Sequence, residues 1–336
     1  MTEFDVIVLG EPMVERHLSP QSPDSPGSPH STDGSVAPQS VSGDAFNAAC
    51  AAVLAGARVA LLTVLGTDDA GDLVLDELAR RGVDSSLVLR GPEPTGAYTV
   101  APDAHGQPRF SYQRAGSAAS TLSPAQLERW GPVLEATPVL LTSGITAALS
   151  AGAAQLVIAA VARVAGAGGA ACYDVNFRPE LTDTDPARRV LRAVAPHCRL
   201  VKIASPGDSA PLLGATDPAA VTAALGVLTG AAVAVTRGAA PLLVTDGGHV
   251  SRHPAIVLPT PVDSTGAGDT LLGTLAAGLA RGERLADAAP LAVVAAGLST
   301  QHRGGAPTAT LDELRTAQRA ATRTEPAHVL TEEARP

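Results

Sequence analysis

The stretch Val262-Asp263-Ser264-Thr265-Gly266-Ala267-Gly268-Asp269 sets a Gly-Ala-Gly turn directly before an apolar helical run, Thr270 to Ala280, that closes at Gly282. A glycine turn at a helix start presents several unpaired backbone N–H groups at one point, with the positive end of the helix dipole behind them. That arrangement holds a phosphate. Asp269 would repel a phosphate, but in the first turn it is placed to take a proton from an incoming hydroxyl. An anion cradle of Gly266, Ala267 and Gly268 beside a base is what phosphoryl transfer to an alcohol requires. The same string also reads as an Asp-capped helix after a glycine turn, with no chemistry attached.

Other residues stand out less sharply. Asp174 and Asn176 alternate at the end of an apolar run, so on a strand they share a face at its C-terminal end, where α/β sites open. Asp263 reads as a residue that fixes the loop or helps a cation site. The eight histidines show no metal-ligand spacing, and His249 and His253 fall in a Gly-rich hairpin at the surface.

The elements that must carry these residues follow from composition and pattern. The chain has 336 residues, 45% of them hydrophobic and 17% charged, enough for one large α/β domain. Aromatics make up only 2%, so the core must come from Ala, Val and Leu. The net charge of −9, with no basic run, argues against a nucleic-acid partner. Three isolated cysteines (Cys50, Cys172, Cys198) suit a reducing compartment and no disulfide framework. No segment reads as a signal h-region or a membrane span, so a soluble, cytoplasmic protein is expected.

Val6 to Gly10 is a buried-strand signature. Ser19 to Ser42 carries five prolines and many serines and reads as a loop or edge-strand excursion. Helices are expected over Asp44–Gly56 and Asp68–Arg81, with a strand over Val59–Leu65 between them. Further short apolar strands (139–141, 170–175, 200–203, 232–236) alternate with helices (155–164, 187–195, 221–228), the rhythm of a mostly parallel sheet covered on both faces. Thr95 to Arg114 breaks that rhythm with two alternating runs around Asp103-Ala104-His105-Gly106, a β-hairpin. With the early excursion it would form a small lid of strands, from about 11–42 and 91–118, on a single domain of 1–320. Residues 321–336 read as a flexible tail.

Asp-Ser-Thr-Gly-Ala-Gly-Asp resembles the C-terminal signature of the ribokinase-like (PfkB) family of carbohydrate kinases, and other motifs appear in family order. Gly10-Glu11-Pro12-Met13-Val14-Glu15 is similar to the opening strand motif, and Ser42-Gly43-Asp44-Ala45-Phe46-Asn47-Ala48-Ala49 resembles Gly-Gly-x-x-x-Asn-x-Ala. Val64-Leu65-Gly66-Thr67-Asp68 follows, then Arg81-Gly82-Val83-Asp84. The resemblance runs from about Asp5 to Leu311 and implies a Rossmann-like α/β/α sandwich with a small β-strand lid.

Four pieces look most like the 2-keto-3-deoxygluconate kinases within that family: Thr95 to Tyr98, Phe110 to Ser120, Ser143 to Thr146, and Tyr173 to Pro179. The resemblance implies ATP and Mg²⁺ as cofactors. It also implies a sugar acid contacted by Gly43, Tyr98, Tyr112, Arg114 and Arg178, and Asn47 joins that set from the motif of Gly43. Asp174, Asn176, Thr236, Gly238, Gly266 and Gly268 fall to the nucleotide side. Arg114 and Arg178 would supply a guanidinium fork for a carboxylate, or else be solvated or paired with neighbours such as Glu180. Tyr98 and Tyr112 face the sugar or fill the lid core.

Two departures stand against the family pattern. Its Asn-x-x-Glu motif is replaced by Ala204-Ser205-Pro206-Gly207-Asp208, where only Asp208 could partly substitute. Its Thr-x-Gly-x-x-Gly loop appears as Thr236-Arg237-Gly238-Ala239-Ala240-Pro241. The expected activity is therefore ATP-dependent phosphorylation of a small sugar acid. Rivals are a kinase for a neutral sugar or nucleoside, and a non-catalytic binding protein on a kinase fold. A homodimer through the lid strands is expected, because open sheet edges invite pairing.

Overall fold

The computed structural model describes residues 3–17, 39–102, 108–256 and 258–324. The chain opens with β1 (Val6–Leu9), leaves the body for β2 (Met13–His17) and β3 (Gln39–Ser42), and returns through α1 (Asp44–Leu54). Next come β4 (Val59–Leu62), β5 (Val64–Gly66), α2 (Asp69–Arg80), β6 (Val83–Asp84) and β7 (Leu89–Gly91). The expected hairpin follows as β8 (Ala97–Pro102) and β9 (Pro108–Gln113), antiparallel, with its turn outside the described residues. Of the Pro/Ser-rich excursion, the last four residues form β3, and 18–38 lie outside the described residues.

The second half alternates as expected. It runs through α3 (Leu127–Ala136), β10 (Val139–Ser143), α4 (Gly144–Ala147), α5 (Ala151–Gly166), β11 (Ala170–Asp174) and α6 (Thr184–Val194). After β12 (Leu200–Ala204) come α7 (Ser209–Leu213), α8 (Pro218–Gly226) and three strands, β13 (Ala232–Arg237), β14 (Ala240–Asp246) and β15 (His249–His253). Three helices close the chain: α9 (Ala267–Ala280), α10 (Leu285–Ser299) and α11 (Leu311–Thr324). Several helices begin earlier than periodicity suggests because a side chain caps them: Ser150 accepts from Ala153 N, and Asp217 accepts from Ala219 N and Ala220 N. Helix α11 reaches into the expected tail as far as Thr324.

The main sheet has the order β15-β14-β13-β12-β11-β10-β1-β4-β6 and is parallel from β13 to β6, with β14 and β15 antiparallel at one edge. Its inner strands are apolar on both faces, as a sheet covered on both sides requires. Val6 and Val8 point into one core with α1 and α9, while Ile7 and Leu9 point into the other with α5. The chain builds outward from β1 to β4 and then resumes on its other side at β10. This reversal opens a crevice above the carboxyl ends of β1 and β10, where ligands bind in such sheets. A separate sheet, β3-β2-β8-β9, stands beside that crevice as the lid, with Tyr98 directly opposite Tyr112.

Small residues let the helices over the crevice approach closely. A Cβ on Gly273 in α9 would collide with the Ala48 carbonyl of α1. Gly273→Ala is therefore expected to lower stability by about 1–3 kcal/mol through overpacking, outweighing the ~1 kcal/mol helix-propensity gain. Urea denaturation of the variant measures the difference.

Candidate active site

The crevice is a cavity of about 730 Å³ whose floor is the start of α9. Gly266 caps that helix in the left-handed conformation (φ 73°), and a Cβ there would collide with the Gly305 carbonyl. Glycine is required on both counts. Asp263 braces the turn by accepting from Thr265 N (2.9 Å) and Gly304 N (3.0 Å), the loop-fixing role. Gly266, Ala267 and Gly268 thus line the cavity at the start of α9, with Ala267 N donating to the Ser264 carbonyl (3.3 Å).

Asp269 is enclosed by protein yet keeps a face on the cavity. Asn47 Nδ2 donates to Asp269 Oδ2 at 2.9 Å across the α1–α9 seam. Burial and, next, the charge of Asp44 push the Asp269 carboxyl up to about 7, against the pull of the Asn47 hydrogen bond and of Lys202. A carboxylate tuned to neutrality suits a general base. Gly43 (φ 113°) turns the chain into α1 where a Cβ would lie 2.6 Å from the Glu11 carbonyl.

The structure brings every residue expected at the site onto the cavity wall except Asp174, which stands one layer behind it. Asp174 is tied to Lys202, whose Nζ donates to both carboxylate oxygens at 3.0 and 2.8 Å, so it is not free to meet a nucleotide. Asn176 is buried at the end of the same segment in the left-handed region (φ 38°), strain of the kind that gathers at binding sites. Arg178 is exposed, donates to the Phe177 carbonyl (2.9 Å) and makes no ion pair with Glu180. Its charge is available.

Arg114 differs from expectation. Its Nε and Nη2 both donate to Glu11 Oε2 (2.8 and 2.5 Å) and Ser117 Oγ donates to Glu11 Oε1 (2.6 Å), all buried. The fork is spent inside the protein, and only Nη1 remains for a ligand. Burial raises the Glu11 carboxyl, and Arg114 and Ser117 partly offset it. Tyr98 is buried, with its hydroxyl donating to Glu15 Oε2 at 2.7 Å, whereas Tyr112 is half exposed beside it with ring centroids 5.5 Å apart. Tyr98 is thus lid core that edges the cavity.

Asp208, the one acid near the place of the missing motif, lines the cavity. Its carboxylate is buried and accepts from Phe177 N (2.9 Å) and Ala204 N (2.8 Å), stapling two strand ends together. Pro241 is accommodated because the β13–β14 ladder carries a bulge between the Val235 and Arg237 pairings. Thr236 and Gly238 lie at that turn on the cavity rim, and Arg237 between them has a buried Nε with no hydrogen-bond partner. His249 is exposed and His253 is half-buried, its basicity lowered by burial.

Glu11, Asp44 and Lys202 escaped the sequence reading. Ser143 Oγ donates to Asp44, and burial raises that carboxyl. Lys202 carried a signal: it is the chain's single lysine, set on a buried strand. Because removal of one partner strands the other charge, Arg114→Met is expected to destabilise the fold by about 3–5 kcal/mol, whereas the paired change with Glu11→Leu is expected to recover most of it. Chemical denaturation of the three proteins checks this.

Residues 4–311 match the model of the pfkB family carbohydrate kinases. A 2-dehydro-3-deoxygluconokinase of Thermoproteus tenax is 31% identical over 310 residues, covering 90% of each chain. An Escherichia coli protein assigned as ribokinase II, solved in complex with ATP and Mg²⁺, superposes with a TM-score of 0.80 at 24% identity, over 94% of this chain and 99% of that one. The 2-dehydro-3-deoxygluconokinase of Thermotoga maritima superposes with a TM-score of 0.78 at 20% identity, over 94% and 99%. With a ribokinase-like fold and this motif order, the chain belongs to the pfkB family of carbohydrate kinases.

Proposed function

We propose that this sugar kinase uses ATP to phosphorylate a small sugar acid of the 2-keto-3-deoxygluconate type, with Asp269 as the general base. The observation that carries the reading is the placement of Asp269: its carboxylate faces the cavity at the foot of the Gly266–Gly268 cradle, held by Asn47 at 2.9 Å. The acceptor hydroxyl loses its proton to Asp269 as its oxygen bonds to phosphorus, and the cradle N–H groups take up charge on the phosphoryl oxygens. ATP fits the residues present, since a Cβ on Gly266 or Gly268 would collide with its surroundings and Arg237 Nε lacks a partner among the described residues. Among the described residues no three His, Cys, Asp or Glu could hold a metal together, so Mg²⁺ would be coordinated mainly by phosphate oxygens and water.

The acid character of the substrate is supported by two cationic groups on the cavity wall, Arg178 and the remaining Nη1 of Arg114, and by the name of the Thermoproteus tenax relative. Asn47 acts by orienting the base. A coupled ADP-release screen over sugar acids, neutral sugars and nucleosides tests the reading, and turnover confined to neutral sugars would replace it. Arg178→Ala is expected to raise KM for a sugar acid by about 10–100-fold, the worth of one charged hydrogen bond, and to leave a neutral sugar unchanged.

Asp269→Asn is expected to cut kcat by about 10²–10⁴. In the parent enzyme kcat/KM should fall below pH 7, as the carboxylate takes up its proton. Because the folded-state value lies above the ordinary carboxylate range, the folded protein holds that proton more tightly than the unfolded chain. Stability from this group is therefore full at acid pH and is lost as pH rises toward 7. Asp269→Asn should accordingly raise Tm at pH 8 relative to the parent, and by less at pH 5. Scanning calorimetry at the two values decides.

A further inference from the structure

Lys202 is the only lysine in 336 residues, and it is 4% exposed on β12 with its tip at the cradle. A Cβ built on Gly268 would lie 2.9 Å from Lys202 Nζ, so the ammonium sits directly beneath the second residue of α9. Two of its three N–H donors go to Asp174, its direct register partner on the adjacent strand β11. The third has no acceptor among the described residues, and it lies beside the first turn of α9. A buried ammonium is costly unless its donors are used, and one pair leaves this one incompletely satisfied.

We propose that Lys202 holds the phosphoryl group as it passes from nucleotide to sugar, with Asp174 as the positioning residue that keeps the ammonium charged and aimed. The proposal rests on the kinase reading above and supplies, from a different strand position, the polar group missing where the Asn-x-x-Glu motif is replaced. Asp208 on the same wall already accepts from Phe177 N and Ala204 N, and as an acid it offers no donor to a phosphoryl oxygen. In the step, the acceptor oxygen bonds to the γ-phosphorus as the bond to the β,γ-bridging oxygen breaks and ADP leaves. The acceptor's proton goes to Asp269, and Lys202 neither gains nor loses one. Burial works against the charge on Lys202, but the charge and hydrogen bonds of Asp174, together with the charges of Asp269 and Asp208, more than offset it and keep the side chain protonated. Glycine at 268 has a reason beyond helix entry: any side chain there would displace the ammonium.

The test is calorimetric binding of ADP and of the β,γ-imido analogue of ATP, both with Mg²⁺, to the full chain and its variants. Lys202→Met is expected to weaken the triphosphate analogue by about 10²-fold or more, comparable to loss of one transition-state donor, and ADP by less than threefold. Should that variant fail to fold with Asp174 left unpaired, the neutral pair Lys202→Met with Asp174→Asn is measured instead and should show the same selective loss. Lys202→Arg should recover part of the discrimination between the two nucleotides. Equal losses for both nucleotides, or none, would overturn the role of Lys202 while leaving the kinase reading in place. A parent protein that binds neither nucleotide would overturn the kinase reading itself.

Discussion

Asp269 stands at the junction of three demands: it must be close to a helix N-terminus, away from bulk water, and beside other acids. The seam between α1 and α9 meets all three, because Asn47 on one helix donates to Asp269 on the other at 2.9 Å. That bond exists only while Gly273 lets α9 rest against the Ala48 backbone. The packing of two small-residue helices thus sets the surroundings and direction of the Asp269 carboxyl, a link from sequence composition to chemistry. The alanines and glycines along both helices are what allow the approach.

The cavity concentrates acids, and its organisation depends on how each is compensated. Glu11 is answered by Arg114 and Ser117, Asp174 by Lys202, and Asp208 by two backbone N–H groups. Asp44 has Ser143, and Asp269 has Asn47. The last two are neutral donors, and Asp44 adds to the upward push on Asp269. Charge pairing thus holds Glu11 and Asp174, whereas neutral side-chain donors meet Asp44 and Asp269.

The cradle was legible in the sequence because its parts are contiguous: a glycine turn, an acid and an apolar helix occur within one short string. The parallel sheet was legible for a similar reason, each inner strand being a continuous apolar run. Helices α3 and α10 were not, since Pro132 and Pro290 sit inside them and proline ordinarily argues against a helix interior. The pairing of Arg114 with Glu11 was not legible because the two lie 103 residues apart, and no local pattern connects them. Asp208 matched a missing acid by type and approximate place, but what it touches is decided by the ends of two strands. Side-chain identity is written in the sequence; which partner consumes it is a property of the fold.

The helix seam also divides the molecule into a part that can change and a part that cannot. Along α1 and α9 backbone meets backbone, leaving no volume into which a larger side chain could drift without moving the base. The opposite wall, with half-exposed Tyr112 on its ribbon and solvent-facing Arg178, has no such restriction. A substitution on the ribbon or in the segment after β11 therefore leaves the seam between the two helices untouched, whereas one along the seam must shift a backbone to be accommodated.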